Sequence, residues 1–309
     1  MPATKKRLLC LAGCSFAWGV LFPACVSVPR VIAIPAVSDP VRASADRTGD
    51  YPEALAAIVS VMTRELKLPA VDGTVTFYSN RFALESALVA EYDKEFEQIE
   101  KQLAPKAKEL FRATKEENIA LAARERATTA VAVGMHKRIL VNELVFVRYP
   151  WSERIRVLAH ELTHTVEKAV VDGRLITADL WLVEGFADWV AHKVLDVLDI
   201  ETFGKSREQS VDVVAKARYT QTFPALTQLA TGKEWQTWVR TLGREATYGQ
   251  AFLAADFLID QKGIPAVVEY FRLFGRLNNR ERNFMTAFGE PVSAFEERFG
   301  QHLQILLGK

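Results

Sequence analysis

His160-Glu161-Leu162-Thr163-His164 sets two imidazoles four residues apart with a carboxylate between them. On a helix such side chains start about 5–6 Å apart, so both rings can reach one Zn²⁺ at about 2.0–2.1 Å. Glu161 points to a neighbouring sector, where it can take a proton from a metal-bound water. The helical wheel agrees with that use. Ile155, Leu158, Leu162, Val166 and Ala169 make one apolar stripe, whereas His160 and His164 fall about 140° and 180° away from Ile155. Histidines that merely filled the core would lie in the stripe.

A second helix is expected from about Asp179 to Leu198. Leu180, Glu184, Asp188, Ala191 and Leu195 share one of its faces, and most other positions are also apolar. A helix that is apolar nearly all round is a buried one, and a buried carboxylate without a partner is costly. Glu184 and Asp188 therefore need partners, which a metal and a ligating histidine would supply.

With these residues in view, the chain resembles the gluzincin metallopeptidases, closest to the M1-like, "peptidase MA" branch. The resemblance rests on HExxH followed, after nineteen residues, by Glu184 in Trp181-Leu182-Val183-Glu184-Gly185-Phe186-Ala187. It covers roughly residues 128–309. It implies one zinc ion per chain held by His160, His164 and Glu184, with Glu161 as general base. It implies that Asp188 orients the first zinc-ligating histidine, as a carboxylate commonly does for a metal-bound imidazole. Tyr248, in Tyr248-Gly249-Gln250-Ala251-Phe252, matches the tyrosine that stabilises the tetrahedral intermediate in M1-like enzymes. Two features depart from the pattern. Gly134-Met135-His136-Lys137 lacks the Glu-Asn that binds a free substrate amine in M1 aminopeptidases, so that activity is not implied. Val183 also replaces the Asn that commonly precedes the Glu ligand.

The elements that must position these groups follow from composition and periodicity. Lys+Arg 39 against Asp+Glu 38 gives a net charge of +1. Such a balance offers no basic surplus for a phosphate backbone, and no nucleic-acid partner is expected. The 3 cysteines are Cys10, Cys14 and Cys25, so any metal in the body of the chain must be held by His, Asp or Glu. Residues 1–7 are basic and Leu8 to Phe22 is mainly apolar, the order of an export signal and too short for a bilayer span of about 20 residues. Residues 1–25 read as an export signal or lipoprotein leader. Leu11-Ala12-Gly13-Cys14 resembles a bacterial lipobox, Cys25 is a second lipidation candidate with a better apolar length, and cleavage near Ala33, Ala36 or Ala45 is a third route. The expected location is the bacterial envelope or periplasm, with membrane attachment only through the leader or a lipid.

Residues 26–50, with three prolines and a glycine, read as a tether. A helix is expected from Pro52 to about Leu66 and a short strand at 75–78. A charge-rich helical pair follows over 82–126, broken near Pro105 and reading as solvated. Strands are expected at 131–134 and 138–141, either of which could offer an edge to an extended peptide. Helices follow from Trp151, with breaks at Gly173, Gly232, Gly263, Gly275 and Gly289. The expected class is α+β and zincin-like. A small mixed α/β subdomain (51–150) precedes a mostly helical one (151–309), with the HExxH helix between them. The functional expectation is an exported zinc peptidase acting on peptide or protein substrates. Its rivals are a non-catalytic envelope protein on the same scaffold and a zinc hydrolase of a non-peptide amide or ester.

Overall fold

The computed structural model describes residues 28–36, 50–103, 105–174, 177–218 and 222–308. The leader, with Cys14 and Cys25, and most of the expected tether lie outside the described residues. The elements are β1 (Arg30–Ala33), α1 (Tyr51–Ser60), β2 (Thr74–Tyr78), α2 (Arg81–Gln102), α3 (Pro105–Thr129), β3 (Ala132–Met135), β4 (Arg138–Asn142) and α4 (Glu143–Phe146). All the remaining elements are helices: α5 (Trp151–Ala169), α6 (Leu180–Val197), α7 (Phe203–Arg218), α8 (Gly232–Leu242), α9 (Arg244–Lys262), α10 (Ile264–Leu273), α11 (Arg280–Phe288) and α12 (Val292–Leu306). A π-helical turn (Val61–Glu65) extends α1, and a 3-10 turn (Leu226–Leu229) precedes α8. The class is α+β: a small mixed sheet followed by a helical half.

Sheet order is β1-β2-β4-β3, with β2 and β4 parallel and both outer pairs antiparallel. Two expectations need correction here. Part of the segment read as a tether is strand β1, with Val31 opposite Thr76 and Ile32 opposite Val75. Four residues without periodicity carry no strand signal of their own; pairing with β2 makes the strand. Processing near Ala33, Ala36 or Ala45 would remove it from the sheet. The second correction concerns the two candidate edge strands. Arg138–Asn142 is paired on both sides and offers no edge, whereas β3 is the true edge.

The two helices of the charged segment pack against each other through stacked Phe96 and Phe111, with centroids 4.8 Å apart, and through Arg112–Glu100 and Lys115–Asp93 ion pairs. Asn80 caps α2 by accepting from the Phe82 and Ala83 amides. Leu84, Leu88, Ala123 and Ala127 bury a narrow stripe against Tyr78, Met135 and Leu140. The pair is thus solvated on one side only, and Tyr92 and Arg126 face a cleft that its charge-rich sequence did not announce.

Helix α5 lies between the sheet and the helical half. Its stripe residues Ile155, Leu158, Leu162 and Val166 are buried in the main core, which runs from Ile34 to Leu303 through both halves. Helix α6 is central to that half, as its apolar character requires. Its start is pinned by Asp179, whose carboxylate accepts from the Tyr270 hydroxyl at 2.7 Å and pairs with Arg280 at 3.2 Å. Burial outweighs both partners and raises the Asp179 pKa to about 6.

Gly185 follows Glu184 because α6 and α9 touch there. A Cβ at this position would stand 2.3 Å from the Ala251 carbonyl oxygen. Gly185→Ala would gain helix propensity of about 1 kcal/mol, but the clash is with backbone and cannot be relieved by a rotamer. We expect Gly185→Ala to lower stability by about 3 kcal/mol in urea unfolding. Unchanged stability would mean that the two helices do not approach this closely.

Candidate metal centre

Three ligand atoms from two helices converge. His160 and His164 come from consecutive turns of α5, and Glu184 comes from the second turn of α6. The two Nε2 atoms are 3.1 Å apart, and Glu184 Oε2 lies 3.4 Å from His160 Nε2 and 3.7 Å from His164 Nε2. Tetrahedral ligands at about 2.0–2.1 Å from one zinc would be separated by about 3.3 Å. The three observed spacings bracket that value, and among the described residues these three side chains are the group that could hold a metal ion.

The hydrogen bonds on the far side of each ring decide what faces inward. His160 Nδ1 donates to Asp188 Oδ1 at 2.9 Å, and His164 Nδ1 donates to Glu167 Oε2 at 2.8 Å. With Nδ1 carrying the proton, a neutral imidazole has its lone pair at Nε2. Both lone pairs and a carboxylate oxygen then point at the same small volume, which is unfavourable unless a cation lies between them. A metal supplies that charge. Protons are the alternative, and the electrostatics state how strongly charge is wanted. Burial would depress the His160 pKa, but Asp188 and Glu184 raise it to about 9. Burial would raise Glu184, yet the two imidazoles hold its carboxyl well below the usual range. Burial also works against Asp188, which His160 and Arg156 bring down to about 2.

The supporting shell contains residues that sequence reasoning missed. Glu167 is buried on α5, one turn after His164, where it does for the second imidazole what Asp188 does for the first. Its signal was the i+3 spacing from His164. Arg156, four residues before His160, donates to Asp188 Oδ1 at 3.0 Å and to both oxygens of Glu153. Truncating a carboxylate that orients a metal ligand costs about 10–100-fold in metal affinity. Asp188→Ala and Glu167→Ala are each expected to weaken zinc binding by that factor in a chelator competition. Unchanged affinity in either variant would remove that carboxylate from the centre.

Glu161 sits where α5 passes under the sheet edge. Its Oε2 accepts from the Gly134 amide at 2.5 Å. A Cβ on Gly134 would lie 2.7 Å from the Glu161 carbonyl oxygen and 3.1 Å from His164 Cβ, so only glycine lets β3 come this near. The Thr165 hydroxyl, 3.4 Å from the Met135 carbonyl, adds a second tie between helix and strand.

Tyr248 reaches the same cleft from α9. The helix begins at Arg244, four residues before the tyrosine, because Gly243 with φ 88 separates it from α8. Tyr248 is therefore in the second turn of the helix. Its ring centroid is 6.5 Å from that of His160, Trp235 packs edge-on at 5.0 Å, and the Arg244 guanidinium lies over the ring at 4.5 Å. The hydroxyl has no hydrogen-bond partner among the described residues. Burial and the nearby Glu184 charge raise its pKa, so it stays a protonated donor. His192 lines the cleft wall and packs edge-on against Phe252. His136 lies against Gly173, and His302 stacks on Phe257, both away from the ligands.

The cleft encloses about 760 Å³. Edge strand β3, α2 and α3 wall one side, α7 and α9 the other, and α5 with α6 carry the ligand atoms. No family model, curated protein or solved structure matches the chain.

Proposed function

We propose that the protein is a zinc-dependent peptidase with a zincin-like arrangement, in which His160, His164 and Glu184 hold the metal. The observation that carries this reading is the convergence of His160 Nε2, His164 Nε2 and Glu184 Oε2, all within 3.7 Å of one another, beside the carboxylate of Glu161. When bound, zinc would lower the pKa of a coordinated water to about 7 and polarise a substrate carbonyl.

The chain's own residues divide the remaining work. Glu161 accepts the proton of the attacking water and hands it to the leaving amine. The Gly134 amide holds that carboxylate in place, and Asp188 and Glu167 fix the imidazole tautomers. Tyr248 donates a hydrogen bond to the oxyanion as charge develops on it. Edge strand β3 borders the cleft with no strand on its outer side; Glu161 takes its Gly134 amide, and an extended peptide can add along the rest of that edge. That strand favours a peptide over a small ester or amide as substrate. Glu161 argues against a purely structural role for the site, since holding zinc does not require it.

The basic and apolar order of residues 1–22 supports export, with lipidation at Cys14 or Cys25 or plain cleavage as the routes to maturity. Among the described residues no helix is long and apolar enough to cross a membrane.

Elemental analysis of metal-replete protein together with digestion of a quenched peptide library tests the reading. We expect one zinc per chain, lost in His164→Ala, and peptide cleavage that a chelator abolishes. Absence of zinc, or full zinc content in His164→Ala, would overturn the site. Zinc without cleavage of any peptide would overturn the peptidase.

A further inference from the structure

The charged groups lining the cleft are unevenly partnered. Lys168 is paired with Glu95 at 2.7 Å, and Arg156 with Glu153 and Asp188. Arg174 is committed to the Gly275 carbonyl at 2.7 Å. Arg126 and Arg244 also line the cleft, and among the described residues neither has a carboxylate partner. They come from opposite walls, Arg126 from the last turns of α3 and Arg244 from the first turn of α9.

Tyr248 lines the same cleft, and both arginines are near enough to bear electrostatically on its hydroxyl. Arg244 stacks over the Tyr248 ring, and its exposed guanidinium has no hydrogen-bond or ion-pair partner among the described residues. Each guanidinium is a planar fork matched to a carboxylate. Among the described residues a single lining carboxylate, Glu245, stands without a partner, next to Arg244 in the chain. It does not offset two arginines that line the same cleft.

We propose that Arg126 and Arg244 form a receptor for a substrate carboxylate close to the scissile bond, so that the preferred substrates are peptides carrying a negative charge there. This inference rests on the peptidase reading and names its substrate class. The carboxylate has two sources in a peptide: the chain's free C-terminus or an Asp or Glu side chain.

The test uses zinc-loaded full-length protein and matched peptides. One pair differs only in a free or amidated C-terminus, and a second pair has Asp or Asn beside the cleaved bond. Wild-type kcat/KM is expected to favour the acid of at least one pair by about tenfold or more, mainly through KM. The pair that responds identifies the source. The ratio is expected to fall toward one in Arg126→Gln/Arg244→Gln, with zinc content and unfolding midpoint showing that this variant is folded. Cleavage by wild type with a ratio near one in both pairs, or a ratio that survives the double variant, would overturn the proposal. The same pairs are titrated into zinc-loaded Glu161→Gln protein by calorimetry. Tighter binding of the acid without any wild-type cleavage would sustain the receptor and sink the peptidase reading. Equal binding of acid and neutral peptides would sink the receptor.

Discussion

Glu161→Gln is expected to lower kcat on a cleaved peptide by about three orders of magnitude, within the 10²–10⁴ range of a positioned general base. The substitution keeps shape and keeps an oxygen able to accept from the Gly134 amide, the contact that now fixes the side chain at 2.5 Å. What it removes is the capacity to take a proton. Zinc content should be unchanged, because the group that could hold the metal is His160, His164 and Glu184, without Glu161. KM should shift little, since the proton moves only as the bond is attacked. Initial rates and elemental analysis on the same preparation check both halves. Activity within tenfold of wild type would mean that another group takes the proton, or that the reaction needs no base at this position.

The second large effect is expected at Tyr248. Tyr248→Phe should lower kcat by about 10²–10³, the usual cost of losing one oxyanion donor. Its ring is held by Trp235 on its edge and Arg244 on its face, and Phe preserves both contacts. The hydroxyl is what the substitution deletes, and it has no other partner among the described residues. A donor recruited only as charge develops acts on kcat and not on KM. Zinc content and the unfolding midpoint should stay near wild type. A purely packing role predicts the opposite pattern, with normal kcat in the Phe variant and lost stability in Tyr248→Ala. Stopped-assay kinetics and thermal unfolding of the two variants separate these outcomes.

The parts of the centre that lie on one helix were legible because helix geometry is local. The four-residue spacing of His160 and His164 sets both rings on one face whatever the rest of the chain does. Glu184 and Asp188 were legible for a related reason. Two carboxylates on a helix as apolar as α6 announce a partner, and His160 and Arg156 now fill that role for Asp188. The same local reasoning overlooked Glu167, whose spacing from His164 was present but whose burial was not visible in the composition around it. It read the α2–α3 pair as a solvated element, because the short apolar stripe of Leu84, Leu88, Ala123 and Ala127 is outweighed by charge in any window. It also read residues 30–33 as tether, since four residues acquire a strand only through a neighbour.

By itself, then, the sequence determined the helix that carries two imidazoles and a carboxylate, the buried helix that carries Glu184 and Asp188, and a short strand pair ahead of them. All three are consequences of periods of 3.6 or 2 residues acting over short distances. The tertiary structure alone decided that α6 lies close enough to α5 to bring Glu184 Oε2 within 3.7 Å of both Nε2 atoms. It decided that β3 and not β4 is the sheet edge, and that Gly134 lets that edge reach Glu161. It also decided that Arg126 and Arg244, more than a hundred residues apart, face one cleft beside Tyr248. Such convergences depend on how elements pack across the core. Packing is settled by the sum of many weak contacts between distant residues, which no local spacing records.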